Sequence, residues 1–551
     1  MRGLTGIPVL VALVALGAII RTPWLAAGGT FDLDQGRDML VLRSMIEEGM
    51  LPLLGPGTSI GGVHHGATYF YLLAPVAWIS GLEPDAVTLV FVVTGLLTVA
   101  LAWWLAGSIG GPVAGFAAGL FVAVSPTAIT ASTTIWNPNL VPAASLLAVG
   151  GAWQAWRTER ARWWVLAIGA TALAAQLHLL ATILALPIVA LLVADLRRAD
   201  NRRRRLGLGA LVLGLAVAAV VALPLVVHEL STGFAETRAM LAFLVSPREP
   251  GGPDPVSRLL IVAIRISAWP IAGLITEAPV LAALMTGVVL TAAGWLLVAA
   301  RGPGRVGERL VAGILLGSVV ALPFAAPELA RVTPGLPNDH YHAFTDPLVA
   351  VILGLAAARL WRRGGSVTDT GEPRREPSPA TMDPGGATGN STRSRTRWTT
   401  VLPAAALVLL VVVAELARLP PVGDPDGGWR AALGAAERVD ESVPAGSLMV
   451  AGVPPFKPTG ALRFPLLRLG RGVIDLQTGL QEGAADGVPA ALVVICDRLF
   501  ETVVAAPCGG PAESALEDLR YPALAARFEL SPRLIISVYL PSGAGAGDPG
   551  R

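Results

Sequence analysis

The sequence predicts a polytopic α-helical membrane protein of about eleven transmembrane helices, ending in a small extracytoplasmic α/β domain. Three observations carry this. Hydrophobic residues make up 53% of the 551 and charged residues only 15%, with a mean hydropathy of +0.63, which excludes an ordinary soluble enzyme. The apolar residues gather in runs of about 17 to 25, the length that carries a helix across a bilayer. The stretch 418–551 returns to the mixed pattern of a water-soluble fold.

Spans are read near 5–21, 85–106, 113–130, 140–156, 163–177, 178–194, 206–227, 279–299, 310–326, 346–361 and 399–417. The fifth and sixth are short, so they tilt little or meet in a bend inside the protein. A further apolar stretch, 259–277, carries Arg265 and Pro270 in its middle and is read as interfacial or re-entrant. The basic connections "RTERAR" (157–162), "DLRRADNRRRR" (195–205), "RGPGRVGER" (301–309) and "RLWRRGG" (359–365) set the orientation, because short Arg-rich loops stay in the cytoplasm. Eleven spans place all four there, together with an N-terminus that enters an uncleaved first span.

The expected organisation follows from that parity. Residues 1–361 form the bundle with an outer loop at 22–84, and 362–398, rich in Ser, Thr, Pro, Gly and Arg, is a disordered cytoplasmic linker. Residues 399–417 are the last span and 418–551 the outer domain, with strands at "SLMVAGV", "ALVVICD" and "RLIISVYL" and helices at 429–440 and 513–527. Cys496 and Cys508, near in sequence and in an oxidising compartment, are expected to pair. The net charge of +2 lends no support to nucleic-acid binding. Membrane lipids are the expected surroundings.

Chemistry is concentrated in the outer loops. "FDLDQGRDML" (31–40) clusters Asp32, Asp34 and Asp38 with Arg37 directly after a span, where burial against the bundle tunes carboxylates. Asp-x-Asp in many sugar transferases holds a metal and a nucleotide, but nucleotide sugars are cytoplasmic and this motif is expected outside. A sugar on a polyprenyl phosphate meets that condition. Its transfer needs a carboxylate to take the proton of an acceptor hydroxyl and cations to receive the phosphate.

"DQGRD", "GMLPLLGP", "HHGATYFYLLAP" and "WNPN" resemble the bacterial family 39 glycosyltransferases, relatives of protein O-mannosyltransferases and aminoarabinose transferases in the C superfamily. The resemblance is clearest over 1–160 and looser to about 361. It implies the C-superfamily architecture and makes Asp34 the base, with Gln35 where a Glu is usual and Asp32 as its substitute. It also places His65 near the donor phosphate, with Tyr69 in the comparable aromatic position, and suggests His340 and Tyr341 of "NDHYHAF" near the lipid phosphate.

Arg37 and Arg265 complete the expected phosphate-binding set, an intramembrane charge being a functional suspect. His64, Tyr69, Asn137, Gln176 and His178 are candidate cavity residues, with Asn139 beside them, whereas Trp136 is read as an interfacial anchor. The expected activity is inverting transfer from a polyprenyl-phosphate sugar to a protein, glycan or lipid hydroxyl. No cofactor or essential metal is expected, although Asp32 and Asp34 leave room for a divalent cation. The alternative is a transporter of lipid-linked glycans or polysaccharide, which would place polar residues along several spans.

Overall fold

The computed structural model describes residues 6–246, 253–299, 302, 304–332, 339–365, 392–423, 427–455, 457, 459–484, 487–517 and 520–541. Helix α1 (Gly6–Ala26) leads into a folded connection made of α2 (Leu33–Glu47), the antiparallel strands β1 (Leu54–Gly57) and β2 (His64–Gly66), and α3 (Thr68–Ile79). Then come α4 (Pro84–Gly110), α5 (Pro112–Val124), α6 (Pro126–Ser132), α7 (Val141–Thr158), α8 (Arg162–Leu177), α9 (Ala185–Arg198) and α10 (Asn201–Val221). Two short helices, α11 (Leu223–Thr232) and α12 (Ala235–Val245), precede α13 (Pro255–Ala272), α14 (Pro279–Val298), α15 (Arg305–Ala325), α16 (Asp346–Gly365) and α17 (Thr392–Leu416).

The helix boundaries follow local chemistry. Proline opens α4, α5, α6, α13 and α14, where its missing N–H and fixed φ cost nothing. Asp200 and Asp254 cap α10 and α13 by accepting backbone N–H groups.

Among the described residues, seven helices are long and apolar enough to cross a membrane: α1, α4, 179–198, α10, α13, α14 and α15. An eighth span results if α5 and α6 cross as one, although they are bent by 62°. The protein is thus a multi-pass membrane protein. Of the eleven expected spans, α7, α8, α16 and α17 are helices that fall outside that test; α8 has only 16 residues, and the apolar part of α17 is 401–416.

Two expectations change. The broken span is α5–α6 rather than 259–277, because Ser125 leaves the helical conformation ahead of Pro126. Helix α13 instead runs unbroken through Arg265 and Pro270. The segment 366–391 of the expected linker lies outside the described residues, while 362–365 and 392–398 belong to α16 and α17.

Arg21 explains how the α5–α6 break is tolerated. Fully buried on α1, it donates to the carbonyls of Val122 and Ala123, which the break frees, and to Gly17 O and Ser132 Oγ. A bend in apolar surroundings requires such donors, since an unmet carbonyl there is costly.

The C-terminal domain comprises α18 (Trp429–Ser442), β3 (Leu448–Val453), α19 (Gly460–Arg468), β4 (Val473–Asp475), β5 (Gln481–Glu482), β6 (Ala491–Asp497), α20 (Phe500–Val503), α21 (Pro511–Glu517), β7 (Ala523–Glu529) and β8 (Leu534–Leu540). Its six-stranded sheet has the order β5-β4-β3-β6-β8-β7, parallel across β4, β3 and β6 and antiparallel elsewhere. Central β6 is buried throughout, matching its unbroken apolar run. The expected helix at 513–527 is corrected: α21 ends at Glu517, and the alanine-rich "ALAARFE" pairs with β8 as an edge strand. Pairing with a formed sheet overrides local propensity there. Cys496 and Cys508 are disulfide-bonded.

This domain is seated on the connection between α1 and α4. Phe31 packs edge-on against Trp429 at 4.9 Å and beside Phe464 at 6.1 Å, its N–H donates to Gly427 O, and Arg468 binds Leu82 O and Glu83. Helix α19 lies against α2 through glycines: a Cβ on Gly36 would fall 2.1 Å from Gly460 C. The domain is therefore the back wall of α2.

Candidate active site

Helix α2 gives its three aspartates different environments. Asp32 is the N-cap, its Oδ1 accepting the Asp34 N–H, while Gln35 Oε1 accepts the Asp32 N–H in a capping box. Gln35 is buried, and its Nε2 donates to Ile135 O at 3.0 Å. An amide fits because it must accept at one end and donate at the other, which a glutamate cannot do. The structure thus engages Asp32 in capping rather than as the second catalytic carboxylate expected from the sequence.

Asp38 is fully buried and accepts from Arg37 Nε and Nη2 at 3.1 and 2.8 Å and from the Tyr69 hydroxyl at 2.8 Å. Burial pushes its carboxyl up, against the opposing pull of Arg37 and Tyr69. The third nitrogen of Arg37 donates to Asp34 Oδ1 at 3.0 Å. Burial disfavours the guanidinium, yet Asp38 and Asp34 hold it above its ordinary value. These bonds correct two expectations: Arg37 is charge-balanced by carboxylates rather than offered to a phosphate, and Tyr69 supports Asp38 from the core rather than lining a cavity. Asp34 is the outward member of the cluster, its side chain 39% exposed.

A strip of histidines continues from this cluster. His65 is held in β2 beside Gly66, where a Cβ would fall 1.8 Å from Gln176 Oε1. Its Nδ1 accepts the Leu179 N–H at 3.4 Å, so the ring proton sits on Nε2. Burial, then the charges of Arg37 and His64, lower its pKa to about 4. His178 lies in the extended break after α8, its ring 4.8 Å from His65, 5.7 Å from His340 and 5.8 Å from Tyr341. That break is the expected bend between the fifth and sixth spans. Burial, then His65, hold His340 down at about 3.

Trp136 stands 4.6 Å from His340, so it belongs to this aromatic group rather than serving only as an interfacial anchor. Tyr341 packs 4.3 Å from His340, with its hydroxyl 2.6 Å from Ser59 Oγ.

The far wall is cationic. Arg265 is 3% exposed on α13 and donates Nη2 to Arg331 O at 3.3 Å, while Nη1 is 3.7 Å from Asp339 Oδ2. Its Nε and Nη1 have no hydrogen-bond acceptor among the described residues, and Nδ1 of His178, Nδ1 of His340 and Oε1 of Gln176 likewise have no partner. Five polar atoms of this kind gather in one region, although buried polar groups are normally paired.

The other candidates have structural partners. Asn137 is buried and donates to Leu177 O at 2.7 Å, and Asn139 donates to Thr134 O. His64 is clasped by Glu236 of α12, which accepts from its backbone N–H at 2.6 Å and meets its Nδ1 at 3.0 Å; this corrects its assignment as a cavity residue.

Sequence reasoning missed Glu236 and a trio made of buried Asp339 and His342 with partly buried Asp346. His342 Nε2 lies 3.2 Å from Asp339 Oδ1, and its Nδ1 lies 2.8 Å from Asp346 Oδ1. The signal was present as the spacing Asp-x-x-His-x-x-x-Asp, three and then four residues, which stacks side chains along one helical edge.

Comparison with known proteins adds the family setting. Residues 64–226 match the model of the dolichyl-phosphate-mannose-protein mannosyltransferase family. The crystal structure of ArnT from Cupriavidus metallidurans in the apo state superposes with a TM-score of 0.58 at 15% identity, covering 96% of this chain and 97% of that one. The chain therefore shares the fold of this ArnT. The same ArnT bound to undecaprenyl phosphate gives a TM-score of 0.50 at 15% identity over 98% and 99% of the two chains. Compared with curated protein sequences, the chain matches none. The family match begins at His64 and takes in His65 and His178; Asp34, Arg265 and the 339–346 segment lie outside it.

Proposed function

We propose that the protein is a membrane glycosyltransferase that moves a sugar from a polyprenyl phosphate to an acceptor hydroxyl. The observation that carries this reading is Arg265, a buried guanidinium with two nitrogens, Nε and Nη1, lacking an acceptor among the described residues, beside His340. A phosphate oxygen is the acceptor such a fork suits. The matched family acts from dolichyl-phosphate mannose and the superposed ArnT holds undecaprenyl phosphate, which supports a lipid-phosphate donor.

In the proposed reaction Asp34 takes the proton of the acceptor hydroxyl, whose oxygen bonds to the anomeric carbon as the bond from that carbon to the phosphate oxygen breaks. The single displacement inverts configuration. Arg265, with His65 and His340 as neutral hydrogen-bonding groups, receives the leaving phosphate, and Tyr341 borders the lipid side. Asp38, Tyr69 and Arg37 hold α2 and its Asp34 in place. The reaction as proposed uses no cofactor. The acceptor is a hydroxyl on a protein, glycan or lipid, admitted over the surface formed with the C-terminal domain.

The arginine-rich connections lie at the ends of helices away from the site: Arg157 ends α7, Arg197 and Arg198 end α9, and Arg305 begins α15. Retention of such segments in the cytoplasm supports an extracytoplasmic site and C-terminal domain.

The test is transfer from a panel of radiolabelled polyprenyl-phosphate sugars to a cell-envelope extract by purified protein in lipid. Transfer of one sugar, abolished by Arg265→Gln in a normally folded protein, supports the reading. Transfer unaffected by that substitution removes Arg265 as the phosphate cation.

A further inference from the structure

The trio Asp346, His342 and Asp339 adjoins Arg265 without being part of the proposed phosphate contact. His342 is fully buried, and each ring nitrogen is within hydrogen-bond distance of a carboxylate oxygen, 2.8 Å to Asp346 and 3.2 Å to Asp339. With both carboxylates ionised, and so able only to accept, both ring nitrogens carry protons and the ring is an imidazolium. The arrangement alternates in sign: Asp346, His342, Asp339, Arg265. Asp339 meets His342 through Oδ1 at 3.2 Å, while its Oδ2 stands 3.7 Å from Arg265 Nη1, beyond hydrogen-bond length.

We propose that His342 is a positioning residue that holds Asp339 away from Arg265, keeping the guanidinium N–H groups available to the phosphate of a lipid-linked donor. This rests on the reading of Arg265 as the donor-phosphate cation. With His342 charged, the four groups sum to zero before a phosphate arrives. With His342 neutral, Asp339 loses a partner and turns to Arg265, and the group as a whole repels an anion. The two carboxylates and the imidazolium are thus a tuning device for one guanidinium.

The charged and titratable groups facing His342 are Asp339 on its own turn, Asp346 at the start of α16, Arg265 on α13, and His340 and His178 alongside. The turns 137–140 and 179–184 packed against it bring no titratable side chain. Burial alone would lower the His342 pKa, but Asp346 and Asp339 raise it to about 9. The imidazolium therefore persists through neutral pH and is lost as pH rises through that value. A phosphate monoester has its second pKa near 6 and is fully ionised by about pH 8, so titration between pH 8 and 10 reports the protein.

The experiment is equilibrium binding of a short-chain polyprenyl phosphate to the full-length protein in detergent, read by tryptophan fluorescence, from pH 7 to pH 10. Wild type should weaken about tenfold between pH 8 and 10, the order expected for losing one charge close to a bound anion. His342→Gln should bind about tenfold more weakly at pH 7 and show a flat profile above pH 8. Asp346→Asn, which removes one carboxylate holding the proton, should move the inflection to lower pH. If His342→Gln does not fold, that shift decides the matter, and an unmoved inflection overturns the proposal. A flat wild-type profile, or a His342→Gln protein that keeps the slope, also overturns it. Binding that survives Arg265→Gln would instead remove the phosphate reading beneath it.

Discussion

Gly36 of α2 and Gly460 of α19 meet backbone to backbone: a Cβ on Gly36 would lie 2.1 Å from Gly460 C, and one on Gly460 would lie 2.2 Å from Arg37 N. No side chain can be inserted without moving one helix off the other. Since Asp34, Arg37 and Asp38 ride on α2, the C-terminal domain fixes the position of the proposed base. Gly460→Ala is expected to lower transfer and to cost about 1 to 3 kcal/mol of stability through overpacking. A thermal melt and an initial rate measured on the same sample check this, and wild-type values for both would refute the contact.

Gln35 occupies the place where the resemblance expects a glutamate, and its amide bridges Asp32 N–H and Ile135 O. Gln35→Glu brings a second oxygen against the Ile135 carbonyl in a buried setting. The expected loss is about 1 to 3 kcal/mol, visible as a lower melting temperature. An unchanged melting temperature would mean that the residue tolerates either group.

Arg21 satisfies the carbonyls at the α5–α6 break. Arg21→Met preserves length and apolar bulk but strands those acceptors, and should destabilise the bundle by about 2 to 4 kcal/mol. Denaturant or thermal unfolding in detergent measures it. Stability equal to wild type would show that the bend does not depend on this side chain.

The folded-state pKa of His65, about 4, lies below the value near 6.5 of an unfolded histidine. As pH falls, the unfolded chain takes up the proton first, so this contribution is complete above about pH 6.5 and is lost on approach to pH 4. His340, at about 3, acts in the same sense. His65→Gln should therefore lose less stability than wild type between pH 7 and 4.5, and equal losses would place the ring in water.

Much of this architecture was legible in the sequence because span length and apolar periodicity are local properties. The bend at His178, the strands 448–453, 491–497 and 534–540, and the first helix of the domain follow from such patterns. What was not legible depended on partners far along the chain. Arg37 read as a free cation until Asp38 and Asp34 were seen to neutralise it, and Tyr69 read as a cavity residue until its hydroxyl was found on Asp38. Glu236 lies 172 residues from the His64 it clasps. The Asp339–His342–Asp346 spacing was visible, but only its packing beside Arg265 gives it meaning. The strand 523–529 was hidden by its alanines.

In the proposed reaction Asp34, at the head of α2 with its side chain 39% exposed, is the base of a lipid-phosphate-dependent glycosyl transfer. The most direct measurement compares wild type with Asp34→Asn, which keeps the size of the side chain but cannot take a proton, using the donor that supports wild-type transfer. Loss of about a hundredfold or more in rate, the scale of general-base catalysis, with unchanged donor binding and melting temperature, is the predicted result. Transfer at the wild-type rate by Asp34→Asn would contradict the assignment.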